Sequence, residues 1–400
     1  MNNSQMTLAV YYHMPFIHRD DGSIDCNPVI GTFIESLIPY YKKIFIFGFE
    51  SVVNPNAASY NIATNTNLVF VSLGPEGRFW DYFSKMKRLR MSVQQYKLKI
   101  DILFLRVPSH KAYFIWKYLG EPEQTALLFV GNPYYTDDYS NSAFYMHIFR
   151  GFRSHLHDQR MKRMCKNKSA LVFANSPALV ALWAEILETD VRLLQTSSIS
   201  SRDILNIGAE ARKIVEPLKL LFVGRVCYDK GIRELLEALA LLNEQNGDRY
   251  FLDIVGPEGD MEGNSIAQLI DKYEVAQVSK FHGMIPFGKQ LFQYYRDADV
   301  YVLPSYHEGM PHAIWEALSQ GTPVISTPVG GIGDYFTDNE DILFISVRDP
   351  ASIVEVVQKF DKDVSLHAYL IENGLKKVGK VTREAQAETM AVAISKKWQS

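Results

Sequence analysis

Short apolar runs alternate with amphipathic segments of helical length along almost all of the chain. Continuous runs rich in β-branched residues and bounded by glycine or proline are typical of strands that are buried on both faces of a sheet. Such runs predict strands at Thr7–Tyr12, Ile44–Gly48, Leu68–Ser72, Ile100–Leu105, Ala126–Val130, Ala170–Ala174, Leu218–Gly224, Tyr250–Val255, Ser279–His282, Val300–Pro304, Pro323–Ser326 and Ile342–Ile345. The alternation of strands with helices predicts parallel sheets joined by right-handed crossovers.

The series of strands begins again near residue 218, after the polar stretch Thr196–Glu210. We therefore predict two doubly wound α/β domains, over residues 1–200 and 215–381. A helical pattern over residues 382–400 follows the second domain and is compatible with a helix that packs back on the first. Open α/β sheets bind ligands at the carboxyl ends of their strands, so a site in a cleft between facing domains is expected.

Charge is distributed unevenly along the chain. The 400 residues are 47% hydrophobic and 22% charged, which is ordinary for a globular protein and excludes wholesale disorder. Residues 1–200 contain 21 Lys and Arg against 16 Asp and Glu, whereas the remainder contains 21 against 29. The first half is a candidate for contact with an anionic surface, but its basic excess is too small for a dedicated nucleic-acid binder.

Cysteine usage and hydropathy indicate a cytoplasmic location. The three cysteines, Cys26, Cys165 and Cys227, are far apart and form no CxxC pair, as expected for a reduced chain. Residues 1–10 lack a basic region followed by an apolar run, so no signal peptide is expected. The sequence contains no apolar run of about 18 residues, so no membrane span is predicted.

The stretch VYVLPSYHEGMPHAIWEALSQGTPVISTPVGGIGD, residues 300–334, has the pattern of a strand, a loop and a helix. Pro311 suits the first turn of that helix, and the free amides near Met310–Ala313 would suit a phosphate. Glu308 and Glu316 would lie roughly 12 Å apart along an ideal helix. Two carboxylates at that distance are poorly placed to act together in one proton transfer, but they could bind hydroxyls at the two ends of an elongated polyol. Glycines follow at Gly330, Gly331 and Gly333, where they permit close backbone approach.

A second stretch, LLFVGRVCYDKGIRELL, places two cations just after a predicted strand. Arg225 follows the strand, and Lys230 precedes the next helix. Arginine offers a planar fork and lysine a point charge, so both could hold a diphosphate. Such a clamp would stabilise a departing nucleoside diphosphate without a metal ion.

The segments GRVCYDKG, EGMPHAIWE and GTPVISTPVGG, in this order within about residues 218–346, resemble the carboxyl-terminal domain of retaining nucleotide-sugar glycosyltransferases of the GT-B fold, glycosyltransferase family four, group 1. The resemblance implies two Rossmann-like domains facing a deep cleft. It also implies that Glu316 binds the donor ribose, Glu308 the transferred sugar, and Arg225 with Lys230 the diphosphate. The further donor contacts that it implies are Gly309, Met310, Pro311, His312, Gly283 and Met284.

The first half departs from the family pattern. Where many members have a glycine-rich loop, this chain has HRDDGSIDCNP with Gly22 alone. Where many have a histidine near the anomeric carbon, it has Asn132, which we keep as a catalytic candidate although a turn before Pro133 would equally explain it. Arg106 and His110, in RVPSHKAY, are candidates on the acceptor side. His110 is also typical of a helix start, and His13 and His18 are weaker substitutes.

Each site residue also has a plainer explanation. Arg225, Lys230, Glu308 and Glu316 could be solvated charges at element ends, although their joint pattern favours the functional interpretation. His307 and His312 are five residues apart with a proline between, which is wrong for a zinc helix motif. Asp297 and Asp299 spell a motif of metal-dependent glycosyltransferases, but Asp299 opens a strand at its amino end and is interpreted as structural.

Two segments of the first half are strongly basic. Residues 84–99 contain Lys85, Lys87, Arg88, Arg90, Lys97 and Lys99 and no acidic residue, and residues 150–168 contain seven cations against Asp158. Such segments could lie on anionic lipid at the inner face of the plasma membrane, or they could be solvated faces.

We hypothesise a metal-independent retaining hexosyltransferase without a cofactor. It would move a sugar from a UDP- or GDP-sugar to a saccharide or lipid-linked acceptor in cell-surface polysaccharide synthesis. Two alternatives stay open: a degenerate nucleotide-sugar-binding or scaffold protein, and a nucleotide-sugar epimerase on the same architecture.

Overall fold

The computed structural model describes residues 4–51, 60–62, 67–75, 82–130, 159–165, 169–195, 197–205 and 216–398. The chain divides into two compact units. Unit 1 comprises residues 1–196 and 383–400, and unit 2 comprises residues 197–382. Each unit is built around a mainly parallel sheet with helices packed against it, so the predicted α/β class is confirmed.

The unit 1 sheet contains a strand at every position that its apolar runs predicted. Its strands are β1 (Thr7–His18), β2 (Ile24–Cys26), β3 (Lys43–Glu50), β4 (Tyr60–Ile62), β5 (Leu68–Pro75), β6 (Ile102–Val107), β7 (Thr125–Phe129), β8 (Leu171–Ala174) and β9 (Val191–Leu193). The parallel strands lie in the order β5-β3-β1-β6-β7-β8-β9. They bury apolar side chains on both faces, as the continuous hydrophobic runs predicted.

The helices of unit 1 cover both faces of its sheet. They are α1 (Pro28–Ser36), α2 (Tyr82–Gln94), α3 (His110–Tyr118), α4 (Pro177–Leu187) and α12 (Arg383–Trp398), and residues 159–165 are also helical. Helix α12 buries Ala387, Met390 and Ile394 in the same core cluster as β1. The indole of Trp398 donates a hydrogen bond to the carbonyl of Ser169 at 2.9 Å, which fixes the end of this helix on unit 1.

A small antiparallel extension of β1 was not predicted. The end of β1 pairs with β2, and β2 pairs with β4. Gly22 therefore lies in a hairpin turn, where its φ of 84° favours glycine and its amide donates to the carbonyl of Arg19 at 3.0 Å. Buried Asp25 holds Arg19 in an ion pair of 2.6 Å across this hairpin. The stretch predicted as a loop is thus a short sheet, because a buried carboxylate ties its two arms together.

The unit 2 sheet is entirely parallel. Its strands are β10 (Leu218–Val223), β11 (Tyr250–Val255), β12 (Ser279–Phe281), β13 (Val300–Leu303), β14 (Val324–Ser326) and β15 (Leu343–Phe344), in the spatial order β12-β11-β10-β13-β14-β15. Its helices are α5 (Ile232–Asn246), α6 (Ile266–Lys272), α7 (Lys289–Asp297), α8 (His312–Ser319), α9 (Ile332–Tyr335), α10 (Pro350–Lys362) and α11 (Val364–Val378). The direction of the strand order reverses between β10 and β13. Sheets of this type bind ligands at such a reversal.

Helix length and composition bear on membrane insertion. Among the residues that the structure describes, no helix has both the length and the apolar character that crossing a bilayer requires.

Candidate functional site

Two loops meet at the carboxyl edge of the unit 2 sheet, one after β10 and one after β13. The amide of Tyr306 donates to the carbonyl of Asp229 at 2.8 Å, which joins the loops directly. Gly231 has a φ of 66°, and a Cβ atom there would lie 2.1 Å from the carbonyl oxygen of Pro304. Only glycine allows this approach, so Gly231 sets the position of Lys230 beside the second loop.

Lys230 and Glu308 form an ion pair at this junction. Nζ of Lys230 lies 2.5 Å from Oε1 of Glu308, and the two side chains are 22% and 8% exposed. The hydroxyl of Ser305 donates to the same carboxylate oxygen at 2.7 Å. The expectation from sequence assigned the two residues to separate groups of a ligand. The structure instead joins them, and the lysine ammonium keeps further N–H donors that can serve an arriving anion.

Glu316 lies in α8 and is only 7% exposed. The hydroxyl of Tyr295, on α7, donates to its Oε2 atom at 3.0 Å. Burial raises the pKa of Glu316 to about 7, against the smaller lowering effect of the Tyr295 hydrogen bond. This carboxyl group is thus buried with a neutral donor, whereas Glu308 has a cation.

Tyr301 connects the surroundings of the two glutamates. Its hydroxyl donates to the carbonyl of Val223, at the end of β10, at 3.0 Å, and its ring centre lies 5.7 Å from that of Tyr295. Burial raises the pKa of Tyr301 far above its usual value, and the charges of Glu308 and Glu316 raise it further. Both carboxylates are therefore within electrostatic reach of one buried side chain.

The spacing expected along one helix is wrong. Helix α8 begins at His312, and Pro311 is its N-cap rather than a residue of its first turn. Glu308 precedes the helix in the loop, whereas Glu316 lies within it. The chain turns between them, so a rise per residue does not describe their separation.

Arg225 is exposed near the start of the loop that follows β10. The next residue holds this loop in place: the amide of Val226 donates to Pro257 at 2.9 Å and its carbonyl accepts from Gly259 at 2.8 Å. Within the part of the chain that the structure describes, the Arg225 guanidinium has no ion-pair partner. It is therefore available to an anionic ligand at the same edge of the sheet.

The glycines after β14 pack closely against the backbone of another loop of the protein. Gly330 has a φ of 57°, and a Cβ atom there would lie 1.8 Å from the carbonyl oxygen of Glu308. The amide of Gly331 donates to the carbonyl of Gly309 at 2.8 Å. These contacts hold the backbone of Glu308 and Gly309 against the loop that follows β14. The close backbone approach expected at the glycines is therefore an approach to this loop.

The remaining donor-side candidates lie near the same edge. Met310 and His312 are half-buried, and burial lowers the pKa of His312 to about 4, which keeps its imidazole neutral at the helix start. Gly283 and Met284 follow β12, where the Gly283 carbonyl accepts from Gly256 at 2.7 Å. The preceding His282 is held by Asp253 through Nε2 at 2.6 Å.

Several supporting residues were missed by the sequence analysis. Tyr295, Tyr301 and Ser305 are not among the predicted site residues, although Ser305 and Glu308 have a Ser-x-x-Glu spacing that could have indicated their contact. A stack of rings and cations also braces the two loops. Tyr228 and Tyr306 have ring centres 5.2 Å apart, with the guanidinium of Arg348 4.5 Å from the second ring.

The two aspartates that resemble a metal-binding motif, Asp297 and Asp299, form hydrogen bonds within unit 2. Oδ2 of Asp299 accepts a hydrogen bond from the Lys219 amide at 2.8 Å, which ties β13 to β10 at their amino ends. Asp297 accepts from the Gln293 amide group at 2.7 Å within α7. Both carboxylates thus bind within the local scaffold, and the sequence analysis interpreted Asp299 in this way.

The candidates of unit 1 are spread over several elements. His110 is the first residue of α3, and Arg106, in β6, has its Nη1 atom 2.8 Å from Nδ1 of His13. His18 is exposed at the end of β1. Asn132 lies outside the described residues. This unit therefore brings Arg106 and His13 together where the ladder between β1 and β6 ends.

The basic segment of unit 1 is partly described. Helix α2 buries Leu89 and Val93 in the core, whereas Met91 is 66% exposed and Leu98, just after the helix, is 96% exposed. The cations around them that are described are all exposed: Lys87, Arg88, Arg90, Lys97 and Lys99. Of the second basic segment, residues 159–165 are described, and there Arg163 pairs with Glu121 at 2.8 Å.

Comparison with solved structures defines the class of fold. Over 96% of this chain and 97% of the other, the structure matches sucrose-phosphate synthase from Thermosynechococcus elongatus with a TM-score of 0.67 and 18% identity. It matches Anabaena HepE, solved with UDP and glucose, over 98% and 100% of the chains, with a TM-score of 0.67 and 13% identity. The chain has the GT-B fold of glycosyltransferases.

Sequence comparison finds relatives of the second half. Residues 206–377 match the family model described as glycosyl transferases group 1. An uncharacterized glycosyltransferase of Methanocaldococcus jannaschii is 28% identical over 48% of this chain and 46% of its own length. A putative teichuronic acid biosynthesis glycosyltransferase of Bacillus subtilis is 31% identical over 36% of this chain and 33% of its own. The chain thus aligns with less than half the length of these curated relatives.

Proposed function

We propose that the protein is a retaining, metal-independent glycosyltransferase that moves a hexosyl group from a UDP- or GDP-sugar to a saccharide or lipid-linked acceptor. One observation carries the proposal: the edge where Lys230 meets Glu308 also holds Glu316 within reach of the same buried Tyr301. A cation, a charged carboxylate and a buried carboxyl group match the diphosphate, sugar hydroxyls and ribose hydroxyls of a nucleotide sugar. HepE, solved with UDP and glucose, supports this donor class.

Each side chain has a separate task in the reaction. Lys230 and Arg225 hold the diphosphate and stabilise the charge that develops as it leaves. Glu308 accepts hydrogen bonds from hydroxyls of the transferred sugar, and Glu316 accepts them from the ribose. Lys230 can donate to Glu308 and to a phosphate oxygen at once, so a bound diphosphate need not break the ion pair.

Retention follows from displacement on one face of the sugar. The bond from the anomeric carbon to the diphosphate oxygen breaks, and the bond to the acceptor oxygen forms on the same side. The acceptor proton passes to the departing phosphate oxygen, so no protein nucleophile is required. Positioning and stabilisation of the leaving group then supply most of the rate enhancement.

Metal independence rests on the chemistry of the residues present. The carboxylates of Asp297 and Asp299 are bound within the scaffold, and Arg225 and Lys230 can neutralise a diphosphate. We expect a chelator to leave transfer unchanged. Loss of transfer with EDTA and its recovery with added divalent cation would contradict this part of the proposal.

A nucleotide-sugar panel tests the proposed activity. The protein is incubated with UDP- and GDP-hexoses and candidate saccharide acceptors, and products are analysed for the anomer formed. Transfer with retained anomeric configuration is the expected result. Nucleotide-sugar binding without transfer would favour a scaffold, and conversion of the nucleotide sugar without acceptor would favour an epimerase.

We also propose that the basic segment of α2 and residues 95–99 contacts an anionic membrane surface. Met91 and Leu98 are exposed among five exposed cations with no acidic residue in the segment. Each cation near anionic lipid contributes about 1 kcal/mol, and the two apolar side chains can enter the interface. In cosedimentation with phosphatidylglycerol vesicles, the Lys87→Glu/Arg90→Glu variant should bind much less than wild type. The Lys376→Glu variant in unit 2 is the control, and equal binding by all three proteins would exclude this surface.

A further inference from the structure

Basic side chains of unit 1 lie where the parallel ladder between β1 and β6 ends. The two strands are parallel neighbours, with Tyr11 opposite Leu105 at the last pair of their ladder. Just beyond, the Nη1 atom of Arg106 lies 2.8 Å from Nδ1 of His13. A guanidinium only donates hydrogen bonds, so the imidazole that accepts from it is neutral.

The surroundings of His13 contain positive charge. Partial desolvation, then the charges of Arg106 and of Lys111, lower the pKa of His13 to about 4. Desolvation also lowers the pKa of Arg106. Among the residues that the structure describes, no carboxylate pairs with Arg106. Within the described ranges, the partly buried Arg106 guanidinium contacts the neutral His13 ring and no carboxylate, whereas a counter-charge usually accompanies burial.

A buried hydroxyl lies beside this cluster. The side chain of Tyr12 is 2% exposed, and its hydroxyl has no hydrogen-bond partner in the described part of the chain. The guanidinium carbon of Arg106 lies 6.0 Å from the Tyr12 ring centre. Among the residues that the structure describes, the Tyr12 hydroxyl has no acceptor and Arg106 has only the His13 ring. Buried polar groups normally have a hydrogen-bond partner.

We propose that Arg106, His13 and Lys111 form a binding site for a phosphate group carried by the acceptor, an assignment that rests on the proposed function. The site lies at the carboxyl edge of a parallel sheet, where such folds bind ligands. The guanidinium of Arg106 offers a two-pronged grip on phosphate oxygens, and Lys111 adds a point charge. His13 gains a proton when the anion arrives, because a negative charge favours the imidazolium.

Titration of His13 by NMR with and without inorganic phosphate tests the site locally. Phosphate should raise the pKa of His13 by about one unit or more, because it introduces the missing negative charge. In the Arg106→Gln variant, the phosphate concentration that gives half of this pKa change should rise at least about tenfold. The Arg106→Lys variant should show a smaller rise. Arg192→Gln, on the surface of the same unit, should respond like wild type. A His13 pKa that phosphate leaves unchanged in wild type would overturn the proposal.

Two further measurements separate this site from the donor site and from lipid. UDP and GDP binding should be unchanged in Arg106→Gln. In wild type, nucleotide binding without any phosphate response of His13 would refute this site alone. Loss of nucleotide binding with an intact phosphate response refutes the proposed function instead. Glycerol 3-phosphate should reproduce the response, whereas vesicles of phosphatidylglycerol should not, since a headgroup held in a bilayer would identify a membrane contact and overturn the acceptor assignment.

Discussion

Glu308 and Glu316 lie eight residues apart within one motif, yet their surroundings are opposite. Glu308 has a lysine at 2.5 Å and a serine hydroxyl on the same oxygen. Glu316 is more deeply enclosed, has a tyrosine hydroxyl at 3.0 Å, and has its pKa raised to about 7. One carboxylate is thus paired with a cation, whereas burial disfavours the charged form of the other until a ligand supplies hydrogen bonds.

Replacing Lys230 should have the largest effect on activity. The Lys230→Met variant loses the group that stabilises the departing diphosphate, so transfer should fall about 10²–10³-fold in kcat. It also leaves Glu308 without its cation, which should cost about 3–5 kcal/mol of unfolding free energy. Steady-state assays and urea unfolding measure the two effects.

The double variant Lys230→Met/Glu308→Gln separates stability from chemistry. It removes the unpaired charge, so stability should largely return while transfer stays low. Lys376→Met, which breaks an exposed pair in α11, is the matched control and should change neither quantity by much. Recovery of transfer in the double variant would show that Lys230 acts only through Glu308.

Glu316→Gln should lower transfer and raise stability together. The amide cannot replace a charged acceptor for ribose hydroxyls, so kcat/KM for the donor should fall about 10–100-fold. The folded pKa of about 7 lies above the unfolded value of 4.5, so wild-type stability falls as pH rises through this window. Above it, the buried charge costs roughly 3 kcal/mol, which the variant avoids. Thermal unfolding should therefore show a higher Tm for the variant at about pH 8 and no difference at about pH 4. A variant less stable than wild type at about pH 8 would contradict the raised pKa.

Tyr295→Phe should shift the pH profile of donor binding. Ribose binding requires the Glu316 carboxylate, so donor KM should fall as pH rises through about 7 in wild type. Loss of the Tyr295 hydrogen bond removes an effect that lowers this pKa, so the midpoint should move upward by about half to one unit. Tyr273→Phe, whose hydroxyl contacts Glu237 elsewhere, should leave the midpoint in place.

Arg348→Ala should have the smallest effect. Its guanidinium lies 4.5 Å from the Tyr306 ring and braces the loop that contains Glu308 without touching either carboxylate. Loss of one such contact costs about 0.5–1 kcal/mol, so Tm and kcat/KM should decrease slightly. Arg202→Ala, at an exposed position of the same unit, serves as the control. A loss as large as that of Lys230→Met would mean that Arg348 contacts the substrate.

The sequence predicted the strands well because buried parallel strands are continuous apolar runs. All the predicted strands are present, and those of unit 2 differ by at most two residues at either end. The antiparallel β2 and β4 were missed because they are three residues each and depend on the Arg19–Asp25 pair. Strand β9 was also missed because it is only three residues long.

The sequence selects candidate site residues but does not give their electrostatics. Spacing and motif order make Arg225, Lys230, Glu308 and Glu316 candidates, because glycines and strand ends mark the loops that contain them. That Lys230 pairs with Glu308 depends on Gly231 packing against Pro304, a contact between distant segments. The raised pKa of Glu316 depends on burial by α7, which local sequence does not reveal.

Calorimetric titration with UDP and GDP tests the central claim most directly. The account predicts that wild type binds one of these nucleoside diphosphates and that Lys230→Met and Glu316→Gln each weaken binding at least about tenfold. Absence of binding to both nucleotides, or wild-type affinity in both variants, would contradict it.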